Sequence, residues 1–470
     1  MVFSSTIFIF AFLPITLLLY YLAFKIFTVR IANIILLLAS AVFYAWGGLE
    51  YFINLVIIIV LTFYLTRLMM KYEKWKKAIF ILILVVDCGN LLYFKYFNFF
   101  IENIRTLFGG LGIDILSDVA LVVLPIGISF YTFQILSYVI DVYLGKVKVQ
   151  KSVLNFALYV MMFPQLVAGP IVRYEHICNE IERRTIRLSE IETGIKRFII
   201  GFAKKVFLAN ILGGMADTVF GMTGSVNSLY AWFGAICYTL QIYFDFSAYS
   251  DMAIGMGQAL GFHFNENFNL PYIAQSIQEF WRRWHISLST WFRDYVYIPL
   301  GGNRRGNYRT YFNLTVVFLL TGFWHGAAWQ FVIWGIYHGF FSLIERLGFK
   351  KVLEKLPRAL RHIYTMVVVV IGWVFFRADN LGQAFLYLGN MFRFDFSEFR
   401  VWDVIHKMDA LFVICLIAAL VFSVTKCEFM KKIRFWNNET FERVRYLLLW
   451  TVSVLYLVGI SYNPFIYFKF

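Results

Sequence analysis

The sequence is poor in charge. Only 15% of its 470 residues are Asp, Glu, Lys or Arg, while 60% are hydrophobic. Soluble globular proteins carry about 25% charged residues, and the mean hydropathy of +0.69 is also far outside their range. The composition therefore excludes an ordinary soluble domain, and it indicates a chain that is mostly embedded in a membrane.

Cysteine is also scarce. The five cysteines are scattered, without the paired spacing that would hold zinc or an iron–sulfur cluster: Cys88, Cys178, Cys237, Cys415 and Cys427. We interpret them as core residues and expect no metal site. The chain also lacks an internal repeat, a low-complexity tract and a flexible linker, which predicts a single domain over residues 1–470.

The net charge of +15 does not point to nucleic acid, because the basic residues fall in short loops between apolar runs. Loops rich in Lys and Arg mark the cytoplasmic side of a membrane protein. The basic loops are Arg67–Lys77, Lys146–Lys151, Lys350–Arg361 and Lys426–Arg434. The loops at 99–118 and 217–228 are poor in Lys and Arg and are predicted to lie outside.

A membrane-spanning helix needs about 20 apolar residues, and runs near that length recur along the whole chain. We predict an all-α, multi-pass protein with roughly 11–13 membrane segments. The runs lie near 6–24, 31–47, 53–67, 78–98, 119–141, 152–170, 195–213, 230–260, 311–323, 327–347, 362–377, 409–425 and 446–464. The first run lacks a preceding basic residue, which argues against a cleaved signal peptide and places the N-terminus outside.

Two segments interrupt this pattern. The run Phe163–Pro170 contains two prolines and a glycine, which an uninterrupted lipid-facing helix does not readily accept. Irregular backbone at membrane depth occurs only where protein covers it or where it lines a cavity, so we predict a re-entrant or split segment. The second is Phe264–Arg309, a long polar and aromatic stretch predicted on the cytoplasmic side.

Within that stretch, residues 280–294 fit one amphipathic helix. Its apolar stripe is Trp281, Trp284, His285, Leu288 and Phe292, and its flank is Arg282, Ser289 and Arg293. This could simply be an interfacial helix whose arginines meet lipid phosphates and whose histidine packs. It continues into the glycine-rich basic loop Tyr297–Gly306, which could equally hold the phosphates of a donor such as coenzyme A.

A second histidine, His325, lies between two short apolar runs in the segment Leu320–Trp329. We predict that it sits at a tight, glycine-flanked turn within the membrane. An ionisable residue there indicates a functional site, although a core histidine bonded to a carbonyl would fit the local sequence. His338 lies about 20 Å further along a continuous helix and about 220° around it, so it is not expected to share the site. A site between His285 and His325 could connect a cytoplasmic donor to an external acceptor.

Acidic residues inside apolar runs require partners. We predict that Asp245 and Asp251 pair with a structural group such as Arg293 or a tyrosine hydroxyl. The same interpretation applies to Asp87 and Asp141.

In combination, these features resemble the membrane-bound O-acyltransferase superfamily, and specifically its bacterial alginate O-acetylation branch. The resemblance covers most of residues 120–345, which we take as the catalytic core. The matching stretches are Leu124–Gln134, Phe163–Arg173, Tyr243–Tyr249, Asn269–Gly306 and Thr321–Trp329. It implies a helical membrane fold with an outward-facing funnel, an essential histidine at His325, and a second functional polar position at His285.

The activity that this resemblance implies is transfer of an acetyl group from cytoplasmic acetyl-CoA across the bacterial cytoplasmic membrane. The acceptor would be a hydroxyl of an external polysaccharide, or a serine of an extracytoplasmic acetylesterase-like partner protein. His325 would act as general base, and His285 would position or polarise the thioester. The expected phosphate contacts are Arg282, Arg283, Arg304 and Arg305. No permanently bound cofactor is expected.

Two alternatives remain open at this point. The first is a D-alanyl or other acyl transferase whose donor is carried on a small protein that docks on the cytoplasmic basic helix. The second is a transporter of polysaccharide or lipid without enzymatic activity, which buried charges and broken helices would also suit. The absence of an obvious inverted repeat speaks against it.

Overall fold

The computed structural model describes residues 1–113, 115–396, 404–426, 438–460, 462–464 and 466. All regular structure in these ranges is helical, and they contain no strand. Helices satisfy their own backbone hydrogen bonds, which is what a bilayer requires. Cys427 and most of the basic segment Lys426–Arg434 lie outside the described residues.

The helices of the described chain are numbered here in order. They are α1 Leu13–Ile26, α2 Val29–Ala45, α3 Leu49–Lys71, α4 Lys76–Leu91, α5 Phe97–Gly109, α6 Ile128–Tyr143, α7 Val153–Met161, α8 Phe163–Leu166, α9 Tyr174–Glu182, α10 Leu188–Ala203, α11 Asn210–Gly221, α12 Ser228–Ala259, α13 Ile277–Arg283, α14 Ile286–Phe292, α15 Asn307–His325, α16 Trp329–Ile344, α17 Lys350–Lys355, α18 Arg358–Arg377, α19 Leu381–Phe392, α20 Ala410–Val424 and α21 Glu439–Gly459. Turns of π-helix at Phe8–Phe12, Leu92–Tyr96, Lys204–Ala209, Arg293–Tyr297 and Glu345–Phe349 extend some of them.

Within the described residues, five helices are long and apolar enough to cross a membrane by length and composition: Phe8–Ile26, Leu49–Lys71, Glu73–Gly109, Leu188–Gly221 and Arg358–Arg377. The helices α2 and α20 are shorter and apolar. The predicted fold class, an all-α multi-pass membrane protein, is confirmed.

The chain divides into two compact units. The first comprises residues 1–195 and 253–265, and the second comprises 196–252 and 266–470. Both histidines singled out from the sequence lie in the second unit. The first unit contains the interrupted segment at Phe163–Pro170.

The predicted interruption at Phe163–Pro170 is confirmed. Helix α7 ends at Met161, α8 lasts four residues, and no regular helix follows until Tyr174. Every residue from 163 to 170 is buried. The Tyr159 hydroxyl donates to the backbone carbonyl oxygens of Gln134 (3.0 Å) and Val172 (3.1 Å), so it ties the irregular backbone to α6. Protein therefore covers this segment, as irregular backbone in a membrane requires.

The buried acids of the first unit have partners, as predicted. Asp87 accepts a hydrogen bond from the hydroxyl of Thr62, 2.9 Å away on the neighbouring helix α3. Asp141 lies 3.3 Å from the Lys146 ammonium group. Both carboxylates are nearly inaccessible to solvent.

The buried acids of the second unit are also paired, but the partners expected from the sequence were wrong. Asp245 forms an ion pair with Lys205 (2.7 Å), and Asp251 forms one with Lys204 (2.7 Å). Arg293 instead pairs with the carboxylate of the next residue, 2.7 Å away. The two lysines are adjacent on the π-helical turn that follows α10, so both reach α12 from one position along the helix.

Helices α15 and α16 form a close hairpin because glycines line their contact. A Cβ atom at Gly322 would lie 2.4 Å from the carbonyl oxygen of Phe331, and one at Gly335 would lie 2.4 Å from that of Phe318. Small residues let the backbones of membrane helices approach this closely. This contact fixes the end of α15, where His325 is located.

We therefore expect Gly335→Ala to destabilise the protein by about 1–3 kcal/mol, the usual cost of forcing extra atoms into a packed core. The control is Gly389→Ala in α19, where a Cβ atom would meet nothing within 4 Å and where the better helix propensity of alanine applies. Thermal unfolding of the purified protein in detergent measures both variants. Equal melting temperatures for the two would contradict the close approach of α15 and α16.

Candidate active site

His325 is the last residue of α15, and the helix ends there because Gly326 leaves the helical conformation. A Cβ atom at position 326 would lie 2.2 Å from the Phe331 ring, so a glycine is required at this turn. The next helix, α16, begins at Trp329. The predicted tight, glycine-flanked turn is confirmed.

The imidazole of His325 is buried, with 4% of the residue exposed, and aromatic rings surround it. Ring centroids lie 5.0 Å away for Trp324 and Trp334 and 5.1 Å away for Phe376. A small pocket adjoins the imidazole, and its lining is apolar apart from the histidine. The lining residues are Ile242, Phe246, Trp284, His325, Trp373, Phe376 and Ile466.

The structure brings the two histidines together. The ring centroids of His285 and His325 are 6.5 Å apart. His285 is 1% exposed, and its ring packs edge-on against Phe246 at 4.6 Å. Burial lowers the pKa of His285, which lies outside the candidate spans, to about 3, so this ring is neutral near pH 7. Two imidazoles therefore lie close together in the second unit, but of the two only His325 lines the pocket.

The continuous helix predicted for residues 280–294 was wrong. Helix α13 ends at Arg283, α14 begins at Ile286, and His285 between them has a left-handed backbone (φ 44°, ψ 57°). An extended segment crosses the break: Asn269 donates its backbone N–H to the Arg283 carbonyl oxygen (3.0 Å), and Ile286 donates to that of Asn267 (2.9 Å). These bonds compensate for those that a continuous helix would have made.

The distribution of side chains still follows the predicted stripe. Buried positions are Trp284, His285, Leu288 and Phe292, and exposed ones are Arg282 and Arg293. Trp281 and Ser289 are half-buried. The predicted distribution of buried and exposed side chains was therefore correct, although the helix is broken at His285.

None of the four arginines predicted to contact phosphates is among the described residues that line the pocket. Arg282, Arg304 and Arg305 are exposed. Arg283 already pairs with Glu279 (2.9 Å) and donates to the carbonyl oxygen of Asn269 (3.1 Å). Three glycines in the loop that carries Arg304 and Arg305 have positive φ, namely Gly301, Gly302 and Gly306, so the loop conformation depends on glycine.

His338 is separated from His325 by the ring of Trp334. Trp334 contacts His325 on one side and His338 on the other, with centroids 5.0 Å and 5.1 Å away. His338 is fully buried but does not line the pocket. The helix is not continuous between His325 and His338, as the expectation had assumed, because α15 ends at His325 and α16 begins at Trp329.

Two residues of the site were missed in the sequence. Asn267 lies within hydrogen-bonding distance of His285, with 3.1 Å between Oδ1 and Nδ1, and it belongs to the polar and aromatic stretch Phe264–Arg309. Ile466 reaches the pocket lining from near the C-terminus, where its backbone N–H donates to Asp245 (2.9 Å). A buried acid on α12 indicated that some partner was needed but could not identify this one.

Within the part of the chain that the structure describes, no group of three or more His, Cys, Asp or Glu side chains is arranged to hold a metal ion. The side chains described at the site are the two imidazoles and the aromatic rings around them.

The chain matches the membrane-bound O-acyltransferase family over residues 38–381. It is 41% identical to the probable alginate O-acetylase of Pseudomonas putida over the full length of both chains. It is 35% identical to the peptidoglycan O-acetyltransferase of Helicobacter pylori, covering 83% of this chain and 80% of that one. A shorter match, 31% identical, joins 45% of this chain to 56% of the teichoic acid D-alanyltransferase of Bacillus subtilis.

Proposed function

The chain belongs to the membrane-bound O-acyltransferase family, and from that premise we propose that it transfers acetyl groups from cytoplasmic acetyl-CoA to a hydroxyl outside the membrane, for O-acetylation of a cell-surface or secreted polysaccharide. The observation that carries the proposal is the pairing of His325 and His285, 6.5 Å apart at their ring centroids, in a buried aromatic region of an enzyme of this family. Membership of an acyltransferase family also argues against the second alternative from the sequence, a transporter without enzymatic activity.

His325 is the proposed general base. The acceptor hydroxyl is a poor nucleophile until its proton has a destination, and a neutral imidazole provides one. The hydroxyl oxygen attacks the thioester carbonyl carbon and its proton passes to His325. The C–O bond forms, the C–S bond breaks, and the proton returns to the departing thiolate. The apolar lining keeps water away from the thioester, which suppresses simple hydrolysis.

His285 is proposed to position the donor beside His325, and the exposed arginines are proposed to bind its phosphates. Arg304 and Arg305 are the stronger candidates of the four, because they lie exposed on a glycine-dependent loop. Arg283 is already engaged with Glu279.

For the acceptor we propose two routes. The acetyl group passes either directly to a polysaccharide hydroxyl or first to the serine of an extracytoplasmic acetylesterase-like partner, which completes the transfer. The relatives named for alginate and peptidoglycan O-acetylation support a polysaccharide as the final acceptor. In both routes the nucleophile is an uncharged hydroxyl, which the neutral, apolar pocket suits.

The test uses the purified protein in liposomes with acetyl-labelled acetyl-CoA on the side of the basic loops. Serine-bearing partner proteins and candidate glycans are placed on the other side. Label on an acceptor in the presence of the unmodified protein, and none with His325→Ala, would support the proposal. Inert acetyl-CoA with every acceptor would overturn it.

The second candidate is an acyl transferase that takes its donor from a carrier protein. The match to a teichoic acid D-alanyltransferase favours it, although that match covers less than half of this chain. In the same liposomes, transfer from an acylated carrier protein with free acetyl-CoA inert would select this candidate.

The arginine contacts give a prediction about donor affinity. Replacing Arg304 and Arg305 together with glutamine should raise the KM for acetyl-CoA about tenfold or more and leave kcat nearly unchanged, because a hydrogen bond to a charged group contributes about 1.5–3 kcal/mol. The matched control is Arg443→Gln, an exposed arginine on α21. An unchanged KM would show that the loop does not contact the donor phosphates.

A further inference from the structure

The carboxamide of Asn267 is buried at the break between α13 and α14. The residue is 1% exposed, and three groups converge on its side-chain oxygen. The Ser287 hydroxyl is 2.9 Å from Oδ1, the Ser287 backbone N–H is 3.3 Å from it, and His285 Nδ1 is 3.1 Å from it. The amide nitrogen donates to the Ser250 hydroxyl at 3.1 Å.

These contacts determine which atom carries each hydrogen. A backbone N–H can only donate, so the Asn267 atom that faces Ser287 is the oxygen rather than the nitrogen. The same oxygen faces His285 Nδ1, and an oxygen of this kind can only accept. Nδ1 therefore carries the ring proton.

The remaining contact agrees with this assignment. The Ser287 hydroxyl also lies 3.4 Å from His285 Nδ1, further away than its 2.9 Å contact with Asn267. If the hydroxyl donated to Nδ1 instead, two acceptor atoms, Nδ1 and Oδ1, would face each other at 3.1 Å. The Ser287 hydroxyl therefore donates to Asn267 Oδ1 rather than to His285 Nδ1.

Asn267 is itself held in place. Its backbone carbonyl accepts from the Ile286 N–H at 2.9 Å. The preceding residue, Glu266, makes a two-pronged ion pair with Arg197 (2.6 Å for each contact), and Arg197 also binds Asp251 on α12 (2.9 Å). Two-pronged carboxylate–arginine pairs are geometrically specific, so the segment that presents Asn267 is anchored on both sides.

We propose that Asn267 is the positioning residue for His285: it holds the imidazole in the tautomer with the proton on Nδ1, so that Nε2 is the unprotonated, hydrogen-bond-accepting nitrogen of the ring. The effect on turnover rests on the acyl-transfer function proposed above. The assignment of the tautomer does not depend on that function.

The tautomer decides between the two roles that the sequence suggested for His285. Polarising a thioester carbonyl requires a donor at Nε2. An acceptor at Nε2 instead orients an O–H or N–H group of a substrate, which is a positioning role. The His285 ring can take this positioning role near pH 7 because burial lowers its pKa and keeps the imidazole neutral. Residues that orient a functional histidine through its other ring nitrogen usually set its tautomer.

The test is 15N NMR of the substrate-free protein with labelled histidine. The chain has seven histidines, and the His285 signals are those that disappear in His285→Gln. We expect a protonated Nδ1 and an unprotonated Nε2 in the unmodified protein. Asn267→Ala should increase the Nε2–H form, and Asn267→Asp, which retains an oxygen acceptor, should preserve the Nδ1–H form.

The kinetic comparison uses the same variants. Asn267→Ala should lower kcat about 10- to 100-fold, the usual effect of removing such a supporting group, and Asn267→Asp should restore most of it. Ser250→Ala is the control, because it removes the hydrogen bond made by the Asn267 amide nitrogen and leaves the contact between Oδ1 and His285 Nδ1. A protonated Nε2 in the unmodified protein would overturn the proposal even if Asn267→Ala did not fold. A failure of acetyl transfer with the expected tautomer would count against the proposed function alone.

Discussion

Replacement of His325 with alanine is expected to reduce acyl transfer by roughly a hundred- to ten-thousand-fold, the range over which a general base contributes to catalysis. The reason is geometric as well as chemical. Among the described residues that line the pocket, His325 is the only one whose side chain can accept a proton from a hydroxyl, since the others are aromatic or aliphatic. The measurement is the rate of label transfer from acetyl-CoA in liposomes, normalised to the amount of folded protein.

His338 provides the control that separates chemistry from packing. It lies on the same helical hairpin, is fully buried, and contacts the same Trp334 ring, but it does not line the pocket. His338→Phe should therefore retain most of the activity. His325→Gln should lose it with less disturbance of packing than His325→Ala, because it fills more of the space. Comparable activities for His325→Gln and the unmodified protein would exclude a general-base role for this residue.

Much of the site could be predicted from the sequence because its signals are local. A histidine between two apolar runs and next to glycine predicted the turn at His325, and the α15–α16 hairpin has that form. The apolar stripe around His285 predicted which side chains are buried. Prolines at positions 164 and 170 predicted the interruption of the segment that contains them. Each of these rests on residues within a few positions of one another.

The parts that could not be predicted depend on contacts between distant residues. The helix break at His285 depends on the extended segment at Asn267–Asn269. That segment donates a hydrogen bond to the residue that ends α13 and accepts one from the residue that begins α14. A period of 3.6 residues gives no sign of it, because the buried face is preserved across the kink. The partner of Asp245 is 40 positions away along the chain, on the turn after α10. The expected partner, Arg293, is equally remote in the sequence, so spacing along the chain could not distinguish between the two cations.

The ion pair between Lys205 and Asp245 gives the second large effect. The two side chains are 3% and 2% exposed and lie 2.7 Å apart. Lys205 also donates to the carbonyl oxygen of Pro464, and Asp245 accepts from the backbone N–H of Ile466. The pair therefore holds the residues that place Ile466 in the pocket lining.

Lys205→Met is expected to destabilise the protein by about 3–5 kcal/mol, because it leaves a carboxylate buried without its counter-charge. The double variant Lys205→Met with Asp245→Asn should recover a large part of this loss. It removes both charges, and the asparagine oxygen can still accept from Ile466. Thermal unfolding in detergent measures the stability, and acetyl transfer measured well below the melting temperature reports on the pocket.

Lys204→Met is the matched control, one residue away. Lys204 is 28% exposed, and its partner Asp251 keeps a second ion pair with Arg197 (2.9 Å) when the lysine is removed. Its loss should cost much less, since partly solvated and still-paired charges contribute little. If the two single variants melted at the same temperature, or if the double variant were no more stable than Lys205→Met, the Lys205–Asp245 pair would not be what anchors the C-terminal residues. If the pair does anchor them, Lys205→Met should also lose acetyl transfer at temperatures where it is still folded, because Ile466 would no longer be held beside His325.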